Sequence, residues 1–470
     1  MNLKGKKVLV IGAGKSGVAV SRFLCGKGAA VVLADAGRPG DPRGELEQLS
    51  AAGVQILSGG YPGVERGSFD LVVLSPGVPL TEKPARDALK HGIPVTGELE
   101  LAYRFARAPI VAVTGTNGKT TTTTLIGEIF KNAGKNVLVG GNIGRPLVTE
   151  VERFGTGDLI VAEVSSFQLE TATTFKPKVG VILNITPDHL DRHGTMEAYT
   201  AAKARIFQSQ RSSDVAIFGY DDPVARRLSA DAPGRMAFFS MQRAVVSGAY
   251  LDSDQIVITS GDSAPGLAYQ VVCPRSAIRL RGEHNVLNTL AACAVAGAGY
   301  VPAEAMRAAI EAFTGVEHRL ETVATIGGVT WVNDSIATAP ERVIAALRSY
   351  REPVVLLAGG RDKNLLWDEM AALAVARCRA VIAFGEYGPQ VAEHIQRARR
   401  EVAGARLERV EVVAGLDEAV AAARRCARPG DVVLLSPGGT SYDAYVDFAA
   451  RGQHFRDLVR AMSETGKEQP

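Results

Sequence analysis

The sequence predicts an α/β protein built largely on parallel sheets, and three observations carry that prediction. Short apolar runs alternate with helical patterns at both ends of the chain, the arrangement that folds into parallel strands covered by helices. Two of those runs pass directly into glycine turns, at Gly12-Ala-Gly14-Lys-Ser-Gly17 and at Gly115-Thr-Asn-Gly118-Lys119-Thr120. The length, 470 residues, accommodates about three domains at roughly 150 residues each.

Composition narrows the class. With 46% hydrophobic and 22% charged residues, the chain has the balance of an ordinary globular protein. A net charge of +3 implies no polyanion partner, so no nucleic acid is expected. The five cysteines are scattered without a Cys-x-x-Cys pair, which suggests neither a zinc site nor a disulfide framework and fits a reducing cytoplasm. The apolar run after Lys4, Lys6 and Lys7 is too short for a signal peptide. The longest uncharged segment, Asn285 to Ala303, contains asparagine, glycine and proline; it reads as a buried alanine-rich helix, and no membrane insertion is expected.

The first region, residues 1–97, opens with a strand and a Gly-x-Gly-x-x-Gly turn. A second strand ends in Asp35, the spacing of a dinucleotide site with an acid for a ribose hydroxyl. Three readings stay open on these residues: a nicotinamide site, the diphosphate of another nucleotide, or a turn needed only for packing. Asp70 to Gly77 is a later strand whose carboxyl end carries a Ser-Pro-Gly turn, where ligands of open α/β sheets gather.

The second region, 98–314, opens on the stretch around which the chain is organised. Pro109 to Thr114 is a strand, Gly115, Thr116, Asn117 and Gly118 form a glycine turn, and Lys119, Thr120 and Thr121 open a helix. Such a loop cradles phosphates on backbone N–H groups; Lys119 would reach the terminal phosphates and the Thr120 hydroxyl would hold Mg²⁺. The loop has two residues between its glycines where the common nucleotide loop has four between its first glycine and the Gly-Lys pair. Glu163 ends an apolar strand and suits a magnesium ligand, because a buried acid needs a partner. Asp188, His189, Asp191 and His193 cluster after the strand from Val179. Met196 to Gln208 reads as a helix carrying Lys203, which spacing alone marks as a solvated charge.

The third region, 315–470, alternates strands and helices again. Its strand Asp431 to Gly438 echoes Asp70 to Gly77 without the fixed period of a repeat.

Together these motifs resemble the Mur ligases, the ATP-dependent amide-forming enzymes of peptidoglycan precursor synthesis, over essentially the whole chain. Thr114 to Thr120 is similar to the ATP loop of a wider group that includes folylpolyglutamate synthases. Gly141-Asn-Ile-Gly144, Glu163 to Glu170 and Leu435 to Gly452 resemble the D-glutamate-adding branch. The resemblance implies a Rossmann-like UDP-binding domain, a central P-loop ATPase-like domain and a C-terminal Rossmann-like domain. It resolves the first glycine turn toward UDP, with Gly14, Lys15, Ser16, Asp35, Ser75 and Gly77 on the nucleotide sugar and Asn142, Ser165 and Gln168 nearby.

The implied reaction is addition of D-glutamate to UDP-N-acetylmuramoyl-L-alanine through an acyl phosphate, with ATP and two Mg²⁺ ions. Lys119, Glu163, His189 and Lys203 would be catalytic. Thr120, Glu163, His189 and Lys203 would hold metal, Lys203 as a CO₂-derived carbamate. Asn285, Asn288, Arg319 and Asp334 would complete the ATP site between the second and third domains. Thr338, Lys363, Ser441, Tyr442 and Phe448 would bind D-glutamate. Closure about hinges near Gly97 and Gly315, a monomer and a cytoplasmic location are expected. One departure stands out: Asn333-Asp-Ser-Ile336-Ala-Thr338 has isoleucine where many relatives have lysine, and Arg342 or Lys363 would have to supply the missing charge. A nicotinamide dehydrogenase, another amino-acid ligase of the superfamily, and a slow ATP-hydrolysing switch are the competing readings.

Overall fold

The computed structural model describes residues 1–37, 44–261, 269–363, 365–401 and 405–465. The chain divides into two compact units, Met1–Phe313 and Thr314–Pro470. The first unit carries two sheets and the second carries one.

The first sheet is wholly parallel, in the order Gln55–Ser58, Ala30–Asp35, Lys7–Ile11, Leu71–Leu74, Val95–Gly97. Its two central strands are apolar because helices cover both faces. Val8 and Val10 face one core cluster and Leu9 and Ile11 the other. Gly17 is required by contact: a Cβ there would lie 1.8 Å from the Gly12 carbonyl oxygen. The helix Lys15–Gly26 can therefore rest on the strand end only at glycine.

The second sheet has nine strands. Val137–Gly141, Leu159–Glu163, Ile110–Thr114, Val179–Ile182, Val215–Gly219, Arg235–Ser240 and Gly248–Asp252 run parallel in that order. Gln255–Thr259 and Tyr269–Pro274 extend the edge antiparallel. Ile110–Thr114 lies in the interior with Glu163 and Ile182 at its flanks, so the phosphate loop opens at the carboxyl end of three adjacent strands.

Two helix expectations change. The helix of the alanine-rich stretch, Glu283–Ala298, stops short of Ala303, where a second helix, Ala303–Ala312, begins; between them Tyr300 takes a φ of 56° ahead of Val301-Pro302. The helix bearing Lys203 ends at Ala204 and tightens into a 3₁₀ turn, Arg205–Phe207. No helix among the described residues is long and apolar enough to cross a membrane.

The third sheet runs Glu321–Ile326, Val329–Asn333, Val432–Gly438, Val354–Gly359, Cys378–Phe384, Arg409–Val413, antiparallel only at its first pair. The echo between the two Ser-Pro-Gly turns has a structural counterpart. Ser75 Oγ donates to the Gly12 carbonyl after one neighbouring strand, and Ser436 Oγ to the Asp334 carboxylate after another.

Arg451 joins the strand ends of this sheet. It is fully buried and donates to Ser335 Oγ (3.0 Å), Ser335 O (3.0 Å), Thr440 O (3.1 Å) and Gly439 O (3.2 Å). Burial holds its guanidinium down to about 10. Removing the donors strands several buried acceptors, so Arg451→Ala is expected to destabilise this unit by about 3 kcal/mol. Both tryptophans, Trp331 and Trp367, lie in this unit. Chemical denaturation followed by tryptophan fluorescence therefore reads it alone, and an unmoved midpoint would mean these bonds add no net stability.

Candidate active site

The phosphate loop is held open by its own carbonyls and by a neighbouring strand. Gly115 and Gly118 take φ of 150° and 83°, and a Cβ on Gly118 would lie 2.2 Å from Asn288 Oδ1. Asn288, in turn, donates to Asn285 Oδ1 at 3.1 Å, so both asparagines are brought to the loop. Thr116 N–H donates to the Asn184 carbonyl (2.9 Å), and Asn117 N–H to its side-chain oxygen (2.8 Å). Lys119 Nζ donates to Gly115 O (2.9 Å) and Thr116 O (2.7 Å). The helix Lys119–Asn132 begins there, its positive end at the loop.

Beside the loop, the buried Thr120 hydroxyl donates to Glu163 Oε2 at 2.8 Å, and Asn142 Nδ2 donates to Oε1 at 2.9 Å. Glu163 belongs to an interior strand and is 2% exposed. A hydroxyl and a carboxylate side by side next to a phosphate loop form an oxygen donor set of the kind a hard, partly hydrated cation takes. Among the described residues no three histidine, cysteine or acidic side chains form a ready cage. Mg²⁺, which commonly keeps waters and substrate oxygens, fits that arrangement.

Lys203 is the largest departure from a surface expectation. It is 1% exposed, donates to the same Gly115 carbonyl at 2.8 Å, and lies 4.7 Å from the Tyr199 ring centroid. Burial, with the Lys119 charge added, brings its ammonium down to about 7, against the pull of Asp188 and Glu163. Tyr199 shares a hydrogen bond with the Thr116 hydroxyl at 3.2 Å, and burial pushes its phenol up to about 12. His189 adopts a φ of 53°, with Nε2 3.5 Å from Asp188 Oδ2 and its ring against Phe167. His193 pairs with Ser166 Oγ at 3.0 Å. Burial lowers its pKa, against the Glu170 carboxylate.

Several of the expected nucleotide-sugar residues make contacts between the regions of the first two sheets. Gly14 caps the helix that starts with Lys15 and Ser16, and Lys15 Nζ reaches Gly144 O at 2.5 Å. The Asp35 carboxylate accepts from Ala13 N–H (2.7 Å) and Gly37 N–H (2.9 Å), so it braces the glycine turn. Ser165 and Gln168 form a reciprocal capping box at the helix Ser166–Glu170. Gln168 also bonds Glu98, whose carboxyl accepts from Val148 N–H and is pushed by burial to about 7. Ser75 and Gly77 follow the strand Leu71–Leu74; Ser75 Oγ donates to the Gly12 carbonyl, and the Gly77 carbonyl accepts from Arg192 Nη1 at 3.2 Å.

In the second unit, Asp334 is 4% exposed, and burial pushes its carboxyl up to about 7 in spite of Ser436 Oγ and the nearby Arg319 charge. Arg342 Nη1 approaches Ile336 O at 3.4 Å, and its charge bears on both Asp334 and Lys363. Partial burial and that charge lower Lys363. Ser441 is buried and its carbonyl accepts from Tyr445 N–H at 2.7 Å, while Tyr442 is 63% exposed. Phe448 O accepts from Ser335 Oγ at 2.8 Å. Thr338, half-buried, follows Ile336 in the same turn.

Sequence reasoning named most of these residues but missed Asn184, Tyr199, Arg192 and Arg451. Two of them left a signal. Asn184 closely follows an apolar strand, as Glu163 ends one, and Tyr199 precedes Lys203 by four residues on one helix face.

Known proteins match this chain throughout. Three family models fall in order along it: Mur ligase MurD-like, N-terminal domain, over 6–97; Mur ligase middle domain, over 113–296; and Mur ligase, glutamate ligase domain, over 318–439. The sequence is 54% identical to the UDP-N-acetylmuramoylalanine--D-glutamate ligase of Pelotomaculum thermopropionicum over 98% of each chain. It is 42% identical to that of Acidobacterium capsulatum, over 98% of this chain and 97% of that one. Among solved structures it is similar to a UDP-N-acetylmuramate-alanine ligase from Thermotoga maritima, with a TM-score of 0.57 at 19% identity over 97% of this chain and 100% of that one. A pseudomurein peptide ligase type C from Methanothermus fervidus gives 0.53 at 18% identity, with the same coverage. At those identities the structural likeness shows the fold alone.

Proposed function

The chain belongs to the Mur ligase family, and from that premise we propose that it joins D-glutamate to UDP-N-acetylmuramoyl-L-alanine with ATP, in peptidoglycan precursor synthesis. The observation that carries the reading is the match over nearly the whole chain to relatives named for that reaction, 54% and 42% identical. The residues at the phosphate loop support its chemistry.

The substrate carboxylate attacks the γ-phosphorus of ATP, ADP leaves, and an acyl phosphate forms. The D-glutamate amine then adds to the acyl carbon, loses a proton, and inorganic phosphate departs from the tetrahedral intermediate. The first step brings an anion to a polyanion, so the site must neutralise charge without rearranging. Lys119 does so by turning from two loop carbonyls toward the terminal phosphates, beside the helix N-terminus. Mg²⁺ held by Thr120 and Glu163 would supply further positive charge to the phosphate oxygens. Asn142 keeps the Glu163 carboxylate oriented.

His189 and Lys203 would serve a second ion. An amine must be neutral to add to CO₂, and Lys203, brought to about 7, offers that form near neutral pH. The resulting carbamate is anionic and would match a metal. Asn285 and Asn288, beside the loop, would contact the remainder of ATP. Segments 1–97, 98–314 and 315–470 would bind nucleotide sugar, ATP and amino acid respectively.

Phosphate release with UDP-N-acetylmuramoyl-L-alanine, ATP and Mg²⁺ should be stimulated strongly by D-glutamate and weakly or not at all by L-glutamate, D-aspartate or L-lysine. Stimulation by none of them would overturn the ligase reading. A second expectation concerns Ile336. Arg342 stands where it can replace the absent lysine's charge, so Arg342→Ala should raise the KM for D-glutamate at least tenfold. The KM for the nucleotide sugar should hold, and an unchanged D-glutamate KM would dismiss that role. Third, free amine at Lys203 grows as pH rises through about 7, where an ordinary lysine stays protonated. At fixed dissolved ¹³CO₂, a carbamate ¹³C resonance should therefore strengthen from pH 6 to 8. It should be missing from Lys203→Met, and persistence in that variant would place the carbamate elsewhere.

A further inference from the structure

Arg192 stands between two parts of the first unit that the reaction must bring into register. Its Nη1 donates to the Gly77 carbonyl at 3.2 Å and its Nη2 to the Val78 carbonyl at 3.3 Å. Both carbonyls belong to the turn after the strand Leu71–Leu74 of the first sheet. The same Nη2 pairs with Glu170 Oε2 at 2.7 Å, at the end of the helix Ser166–Glu170 of the second-sheet region. Both partners are shielded, with side chains 17% and 18% exposed. The guanidinium also lies 5.0 Å from the Phe167 ring centroid, and the same ring meets His189 at 4.9 Å and His193 at 5.5 Å.

Arg192 is itself in the one-turn helix Leu190–His193 that follows His189, and its N–H donates to the His189 carbonyl at 3.2 Å. A planar fork of donors is suited to hold two carbonyls and a carboxylate at once, and an ammonium is not. The left-handed backbone of His189 is uncommon for a residue with a side chain. His193 N–H donates to the same His189 carbonyl at 3.0 Å.

We infer that Arg192 is a positioning residue: it clamps the Gly77–Val78 turn to the segment that carries His189, so that nucleotide-sugar occupancy at the turn tightens divalent-metal binding at the central site. The inference rests on the functional reading above for the identity of the two ligands. The physical basis is shared ordering. A ligand that fixes the turn also fixes the fork's acceptors, and the second ligand then meets a segment already ordered.

The test is Mn²⁺ binding, read by electron paramagnetic resonance of the free ion, on the full chain with a non-hydrolysable ATP analogue. It is run with and without UDP-N-acetylmuramoyl-L-alanine. In the wild-type protein the nucleotide sugar should tighten Mn²⁺ roughly fivefold or more. In Arg192→Ala the ratio should fall to about one, and in Arg192→Lys, which keeps the charge and can still reach Glu170, it should be intermediate. Glu170→Gln should lower it less than Arg192→Ala, since both carbonyl bonds remain. Arg192→Lys keeps the comparison valid if the alanine variant folds poorly. A wild-type ratio retained in both Arg192 variants, or a wild-type ratio of one, overturns the inference alone. A wild-type protein that does not bind the nucleotide sugar overturns the reading of the turn, and the inference with it.

Discussion

The carbonyl oxygen of Gly115 accepts from two lysines. Lys119 and Lys203 both donate to it, from different helices, at 2.9 Å and 2.8 Å. Like charges so close repel, and one of them is buried. The arrangement holds only because the loop supplies carbonyl oxygens and because Asp188 and Glu163 add negative potential. Much of the first unit serves this condition. The interior strand delivers Glu163, the next strand delivers Asn184 to fix the loop, and a short helix brings Lys203 beneath it. A site built to accept a polyphosphate must carry positive charge before the ligand arrives, and the protein meets that need at Lys119 with oriented loop carbonyls close to the cation.

The same economy recurs at the other strand ends. Asp35 braces the first glycine turn through two backbone N–H groups, and Arg451 braces the strand ends of the third sheet through carbonyls and a hydroxyl. Neither contact is an ion pair. A charge answered by several fixed dipoles keeps its geometry without a second flexible side chain, which suits loops that must present backbone groups to ligands.

The order of elements was legible because period and punctuation are local. Apolar runs of five or six residues ending in Gly, Ser-Pro-Gly or an acid became strands with their turns at the carboxyl end, where the loops now lie. The alanine-rich stretch was harder, since nothing in its hydrophobicity marks the break at Tyr300. Lys203 was illegible as anything but a surface charge, because its burial depends on Gly115 and Tyr199 lying over it. Arg192 sat in a stretch already noted for its acids and histidines, yet its partners Gly77 and Val78 are more than a hundred residues away in sequence.

By itself, then, the sequence determined the α/β class, the glycine turns, the phosphate loop with Lys119 and Thr120, and the acid at Glu163. Each is set by residues adjacent in the chain and by backbone conformations open mainly to glycine. Only the tertiary structure decided which charges are buried and what they touch. It placed Lys203 and Lys119 on one carbonyl, joined Glu163 to Thr120 and Asn142, and set Arg342 beside Ile336. Desolvation and Coulomb interactions depend on distance in space and on exclusion of water, and neither can be read from spacing along the chain.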